Sequence, residues 1–534
     1  MLEKIRSCCN KTNLFLALIF FVGIATTIPY GAFLDQSTEQ NILYSNIKEY
    51  LMHFPSGSFA NILQSLTDSG VEEISVNIDR YNGMAVYYPA FPVWYLNKIS
   101  PYLGNIYWHV CIFGMVFVGI VSLYKLIYLM FGDEHTAAFT TMLFFLTPRM
   151  FAECHYNNKD MVVLSLTFVL MYKGMKLLKA QSVRNVCAFA VAGAFLSNMK
   201  VIGIWIFGVL GCYILAYFIL TKRLDRRLLI KAVFCAALYG AVYMIITPAC
   251  WGDIKGFFEF VISCAMDFRW NDYVLFNGEM YNKETTGIPA SYLPVMIVIT
   301  VPLGTLLLGL LGIISDIIDS IREKRKCLET AGYVSACAAA CFVPLIYAII
   351  AETPVYNGWR HFYFVYAAVI IFVGYGIQTL IRLFRNKRLL KLSGAAYLIF
   401  LAVGIAFNYP QNYSYYNMLA GSNVSERFEL DYWDLSTKQA YEIILKDTDD
   451  ELITVGAFNN PTLWGLEENM QAIRGTKRMR LQIADDWHEA DYVIVNTTYA
   501  YMYSQEEAEL VRSTYELLSS IISYGNTVCE IYKK

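Results

Sequence analysis

Over the first four hundred residues, apolar runs of about the length of a bilayer alternate with short polar stretches. A helix needs about 20 mostly apolar residues to cross the hydrocarbon core. Residues 13–34 meet that length and follow Lys4, Arg6 and Lys11. No small-residue cleavage site follows cleanly, so this run is expected to be a first span rather than a removed signal peptide. Further spans are expected at 107–130, 136–148, 161–178, 185–198, 201–220, 229–248, 292–314, 331–350, 361–381 and 392–408, about eleven in all. Beyond residue 408 the pattern changes. Short strand-like runs (LITVGAF, DYVIVNTT, TVCEIYK) and a helical stretch, SQEEAELVRSTYELLSSII, predict a small α/β domain with its own core.

Composition strengthens the membrane reading. The 534 residues are 57% hydrophobic and only 16% charged, against about a quarter charged in ordinary soluble domains. A net charge of −2 gives no basic field for nucleic acid. Charge also orients the spans. With the N-terminus inside, the cytoplasmic connections hold Lys173, Lys176, Lys179 and Arg184, TKRLDRRLLIK (221–231), REKRK (322–326) and RLFRNKRLLK (382–391). The longer outer loops hold few cations: Lys48, Arg80, Lys98, Arg149, Lys159, Lys200, Lys255, Arg269, Lys283 and Arg360. That is the positive-inside asymmetry. It divides the chain into a membrane domain, 1–408, with outer loops 35–106 and 249–291, and an outer C-terminal domain, 409–534. The thirteen cysteines are scattered without a CxxC, as buried small residues rather than zinc ligands. Cys250 and Cys264 are the one pair considered for a disulfide.

Four polar constellations interrupt the outer side. LTPRMFAECHYNNKDMVVLSLTF (146–168) packs Arg149, Glu153, His155, Asn157, Asn158, Lys159 and Asp160 between apolar runs. Thr147 and Pro148 predict a helix start. Arg149, Glu153 and Asn157 then share one face, and Asp160 extends that face or caps the next span. Asp79 and Arg80 precede an aromatic stretch (81–96) suited to a helix lying at the interface. Arg360 and His361 open the expected tenth span from outside, and guanidinium suits phosphate. Asn277 and Glu279 sit in an aromatic-rich loop suited to a sugar. An ordinary hydrated loop with surface ion pairs would carry many of the same residues, so each segment alone leaves both readings open. Ionisable groups gathered at one membrane face fit chemistry on a substrate that is part lipid and part water-soluble.

Five segments in order resemble one family. FAECHYNNKD resembles the "F…H.FYNPKD" segment of bacterial dolichyl-phosphate-mannose–protein mannosyltransferase-like enzymes (glycosyltransferase family 39-like, GT-C structural class). VLFNGE with SYLPVMIVITVP resembles their "VLFNG…PWYYLP", and YNGWRHFYFVY their "YDGWRHFLFLYP". NYPQNYSYYNMLAG and LDYWDLS resemble "PYQYVYFN…G" and "DYWGLS". Asn158 stands where the family has Pro, and Asp434 where it has Gly. Beyond about residue 445 no motif matches.

The resemblance implies a mostly α, polytopic GT-C-type fold and an integral plasma-membrane enzyme. Such an enzyme moves a hexose, mannose in the family, from a polyprenyl-phosphate donor to an acceptor on the outer face. It implies an acidic residue in the first outer loop as base, matched here to Asp79, followed by Arg80 where many relatives have a second acid. Asp160 and Glu153 are expected to orient the acceptor or a cation. Arg360, His361, Lys159 and Arg80 are expected on the donor phosphate, and Tyr81, His155, Tyr156, Asn157, Asn277, Glu279 and Trp359 on the substrate. A single displacement would invert the anomeric carbon. No cofactor is required by the sequence, although a divalent cation between the acids is compatible with it. Acceptor class stays open among protein, lipid and glycan, with no nucleic acid. The alternative from another class is a transporter or lipid flippase. Such proteins usually carry internal repeats and midplane charges, neither of which is evident here.

Overall fold

The computed structural model describes residues 11–54, 57–266, 272–282, 285–322, 329–353 and 355–534. Lys4, Arg6, Arg269, Lys283 and the basic residues 324–326 lie outside the described residues.

The chain is mostly helical, with a small sheet region near the C-terminus. Among the described residues, eight helices are long and apolar enough to cross a membrane, including Pro101–Phe131, Asp160–Lys179, Ile202–Leu220 and Val365–Leu383. Lys11–Ala25 and Val183–Met199 are apolar but shorter, and Glu134–Phe145 has 12 residues. Large apolar side chains on Lys387–Asn408 face outward, Phe407 being 85% exposed. In water such a surface would be a severe liability; in lipid it is the expected face of an integral membrane protein.

Several boundaries differ from the sequence pattern. The first helix ends at Ala25, and residues 26–35 run in turns and irregular backbone instead of extending the span to 34. The expected span 292–314 is two helices, Tyr292–Thr300 and Leu303–Arg322. The break comes at Val301, held extended (φ −98°, ψ 137°) ahead of Pro302, whose ring disfavours helical geometry in the preceding residue. Asn417 satisfies the freed backbone. Its side-chain amide donates to the carbonyls of Val298 and Val301, both at 2.7 Å, and its backbone N–H donates to Ile299. The expected tenth span starts at Val365, because Arg360–Phe362 is a separate 3₁₀ turn.

The helix expected through the polar knot is only Pro148–Glu153. The Thr147 hydroxyl does not cap it. That hydroxyl donates back to the Leu143 carbonyl and meets the Tyr366 hydroxyl. Asn157 therefore leaves the Arg149–Glu153 face. It lies in the following turn, where its side-chain oxygen accepts from the backbone N–H groups of Lys159 and Asp160 and starts the next long helix. Cys250 and Cys264 are both free thiols.

The first outer loop is largely helical, with Gln36–His53, Ser58–Asp68 and Val93–Ile99. The loop 249–291 carries the helix Ile254–Met266 and an antiparallel hairpin of β1 (Tyr273–Phe276) and β2 (Glu279–Asn282). In the C-terminal region β3 (Ile453–Gly456), β4 (Leu481–Ile483), β5 (Tyr492–Asn496), β6 (Glu516–Ser523) and β7 (Asn526–Lys533) form one sheet, ordered β4-β3-β5-β7-β6. β3 pairs parallel with β4 and β5, and β7 antiparallel with β5 and β6. Tyr492 and Ile494 enter one core while Val493 and Val495 enter another. Both faces of β5 are covered, so its sequence is continuously apolar instead of alternating. The helix expected over 504–522 stops at Thr514. Residues 516–523 are a strand instead, because pairing with β7 outweighs their mixed local preference. Residues 409–435 pack into the core of the membrane domain, and the separate core of the C-terminal domain begins at Ala440.

Candidate active site

A cavity of about 380 Å³ lies where the ends of several long helices meet the first outer loop. One wall is apolar and comes from membrane helices: Ile202, Trp205, Pro344, Tyr347 and Phe364. The other end holds Asp35, Lys159, Asp160, Lys200, Arg360 and His361. An amphipathic ligand with a charged head fits such a division.

The charged end is built from four separate parts of the chain. Asp160 opens the helix Asp160–Lys179, accepts a hydrogen bond from the Lys200 ammonium at 2.9 Å and forms an ion pair with Arg360 at 3.7 Å. Lys159 pairs with Glu39 in the first turn of Gln36–His53, and Asn158 also donates to Glu39. Burial pulls the Lys159 ammonium down, but the Glu39 and Asp35 carboxylates more than offset it and hold it charged. Arg360 is buried between the rings of Tyr356, Tyr432 and Trp433, with centroids 5.0, 5.0 and 4.7 Å away. Its Nε–H has no partner among the described residues. A guanidinium packed on aromatic faces, with an unused buried donor, is prepared for an anion.

Asp35 differs from the other acids. It is half-buried and lines the cavity just before Gln36–His53. No hydrogen bond or ion pair from a described residue occupies its carboxylate, although its charge is felt at Lys159 and Arg360. Asp160, by contrast, is engaged by two cations.

Of the residues singled out in the sequence, Tyr81, Lys159, Asp160, Arg360 and His361 meet in this cavity. His361, expected on the donor phosphate, lines the cavity beside Lys200. Its Nδ1 lies 3.3 Å from the Lys200 ammonium, which can only donate, so the ring accepts there and is neutral. Burial beside Lys200 and Arg360 acts in the same direction.

Asp79 does not line the cavity. It sits beside it in the turn 77–82, within electrostatic reach of the lining residues Tyr81 and Cys264. Arg80 turns away, stacking over Phe260 at 3.9 Å and donating to the Asn77 carbonyl. Glu153 is buried behind the cavity, hydrogen-bonded to Tyr363 and Asn157 and pushed up to about 7 by burial. His155 is a core residue stacked between Tyr30 and Phe113, with both ring nitrogens on main-chain or Thr26 oxygens. Tyr156 packs on Trp433, and Trp359 donates to Thr300 at 2.8 Å. Asn277 and Glu279 sit at the β1–β2 turn, where Asn277 (φ +56°) receives Arg427. None of these six lines the cavity.

Sequence reading passed over Asp35 and Lys200. Asp35 is the first carboxylate after the first apolar run, and Lys200 is one of the few outer cations. Among the described residues, no group of three or more His, Cys, Asp or Glu is arranged to hold a metal ion.

A second cavity of about 570 Å³ lies beside the first, between the outer loops and the C-terminal domain. Leu34 and Asn357 line it, while their chain neighbours Asp35 and Tyr356 line the first. Tyr432 also lines it, with its hydroxyl 3.5 Å from Arg360 Nη2. The two cavities thus adjoin at residues 34–35, at residues 356–357 and at the Arg360–Tyr432 contact.

No protein-family model matches the chain, and no curated protein does. Among solved structures it is similar to ArnT from Cupriavidus metallidurans, crystallised bound to undecaprenyl phosphate. The identity is 15%, 97% of each chain is covered, and the TM-score is 0.47.

Proposed function

We propose that this protein is an integral membrane glycosyltransferase of the GT-C class. It moves a sugar, a hexose by its mannosyltransferase-like segments, from a polyprenyl-phosphate donor to an acceptor on the extracytoplasmic face. One observation carries the reading. The cavity joins an apolar, lipid-side wall to Lys159, Lys200 and Arg360, with an unengaged carboxylate, Asp35, beside them. The N-terminus is cytoplasmic and the C-terminal domain outside, from the distribution of Lys and Arg.

The polyprenyl chain lies along Trp205, Tyr347 and Phe364, and the phosphate sits among the cations. Asp35, in place of Asp79, is the base. An acceptor hydroxyl attacks the anomeric carbon, its proton passes to Asp35, and the bond from that carbon to the phosphate oxygen breaks. The electron pair leaves with polyprenyl phosphate, whose added charge Arg360 and Lys200 stabilise. One displacement inverts the anomeric centre. Asp160 holds the two cations in position.

The test supplies polyprenyl-phosphate hexoses to the purified protein and measures released polyprenyl phosphate. Asp35→Asn is expected to lower release at least 100-fold, in line with general-base contributions of about 10²–10⁴, and Arg360→Ala comparably. Asp79→Asn is expected to remain active. Full activity in Asp35→Asn would sink the assignment of the base. Movement of donor across vesicles without bond cleavage would favour a flippase.

A further inference from the structure

The second cavity belongs half to the C-terminal domain, the part of the chain no motif explains. Its volume lies within the roughly 300–1,000 Å³ of small-molecule sites. It is bounded by outer loops and this domain, without the long apolar wall of the first cavity. Aromatic rings line it, among them Tyr432, Phe458, Trp464 and Tyr499. Amides and carboxyls stand between them: Asn357, Asn459, Asn460, Glu429 and Asp272. Trp464 is 40% exposed, its ring open to a ligand.

Two of these polar groups are buried without hydrogen-bond partners among the described residues. Glu429 is 5% exposed, and no donor reaches either carboxyl oxygen with hydrogen-bond geometry, although the Leu275 backbone lies close enough to favour its charge. Asn357 is 3% exposed and its amide nitrogen is unpaired. Its backbone is held at φ +57°, a conformation that costs free energy and is concentrated at functional sites. Buried polar groups at a cavity wall that no described side chain satisfies are open to the hydroxyls of a ligand.

Resting on the glycosyltransferase reading, we infer that this cavity binds a carbohydrate acceptor, with the C-terminal domain supplying one of its walls. Aromatic faces take the C–H faces of a sugar ring, while amides and carboxyls take its hydroxyls. A sugar held here presents a hydroxyl where the two cavities adjoin, beside Asp35, which accepts its proton as the oxygen bonds to the donor's anomeric carbon and the bond from that carbon to polyprenyl phosphate breaks. Burial pushes the Glu429 carboxyl up to about 8, so near neutral pH it can donate to a sugar oxygen as well as accept.

The experiment uses the full-length protein in detergent with a polyprenyl-phosphate hexose, offering as acceptors a panel of methyl glycosides and, separately, a Ser/Thr-containing peptide. Glycosides are expected to stimulate polyprenyl phosphate release at least fivefold. Trp464→Ala and Glu429→Gln should each raise the acceptor KM tenfold or more, with Trp464→Phe recovering most of the loss. No donor cleavage by the unaltered protein under any condition would remove the glycosyltransferase reading itself. Two results would overturn the acceptor assignment alone: donor cleavage stimulated by the peptide and by no glycoside, or an unchanged acceptor KM in both Trp464→Ala and Glu429→Gln.

Discussion

Glu429 carries a measurable signature besides any role with a ligand. Its carboxyl sits near Arg360, Arg149 and Asp272, and burial outweighs the two cations to raise it from 4.5 to about 8. Between those values the folded chain holds a proton that the unfolded chain has lost, so stability is fully present below about pH 4.5 and falls as pH rises toward 8. The slope approaches about 1.4 kcal/mol per pH unit for one group. Thermal unfolding of Glu429→Gln, compared with the unaltered protein across pH 5–9, should give a Tm difference that grows in favour of the variant up to about pH 8 and then levels. A constant difference would mean that Glu429 ionises normally. Residue chemistry was only partly legible beforehand. Arg360, Lys159 and Asp160 stand out in the sequence because charge beside an apolar run is costly unless used. His155 stands out equally, yet it is a stacked core ring. A polar type in a charged segment does not reveal which way its side chain points.

At the scale of elements, the break between Tyr292–Thr300 and Leu303–Arg322 depends on a residue more than a hundred positions away. Asn417 covers carbonyls that Pro302 and the extended Val301 leave open. Asn417→Leu would leave two carbonyls unpaired in buried surroundings, at about 1–3 kcal/mol each. A drop of several degrees in the Tm of the detergent-solubilised protein is expected, and Asn417→Gln should not rescue it, since its longer side chain displaces the amide. The segment YYNMLAG is visible in the sequence, but its work on another helix is not. The stretch 504–522 teaches the complementary lesson. Its first half is helical by local pattern, and its second half is a strand only because β7 lies beside it.

At the scale of the molecule, the C-terminal domain is tied to the first outer segment by buried polar contacts. Lys438 donates to the carbonyls of Ile28 at 2.6 Å and Tyr30 at 3.2 Å. Ser523 and Tyr524 reach Gln411 and Asn412. These ties hold the segments that run on to Leu34, Asp35 and Tyr432, where the two cavities adjoin, against the C-terminal domain. Lys438→Met removes the donor from both carbonyls and should cost about 1–3 kcal/mol. Limited proteolysis should then cut the variant faster within residues 26–35 or 409–435, and equal cleavage rates would argue that the docking does not depend on this lysine.

Hydrophobic run length, read from the sequence alone, determined the helical membrane class and the approximate positions of the long apolar helices. That property is summed along contiguous chain, so no folding knowledge is needed to see it. Which acid faces the cavity was decided only in three dimensions. Asp35 and Asp79 occupy the same loop, and burial, free lone pairs and distance to Arg360 belong to contacts between segments hundreds of residues apart. The second cavity has no linear trace at all, because its wall is shared between two cores that come together only when the chain has folded.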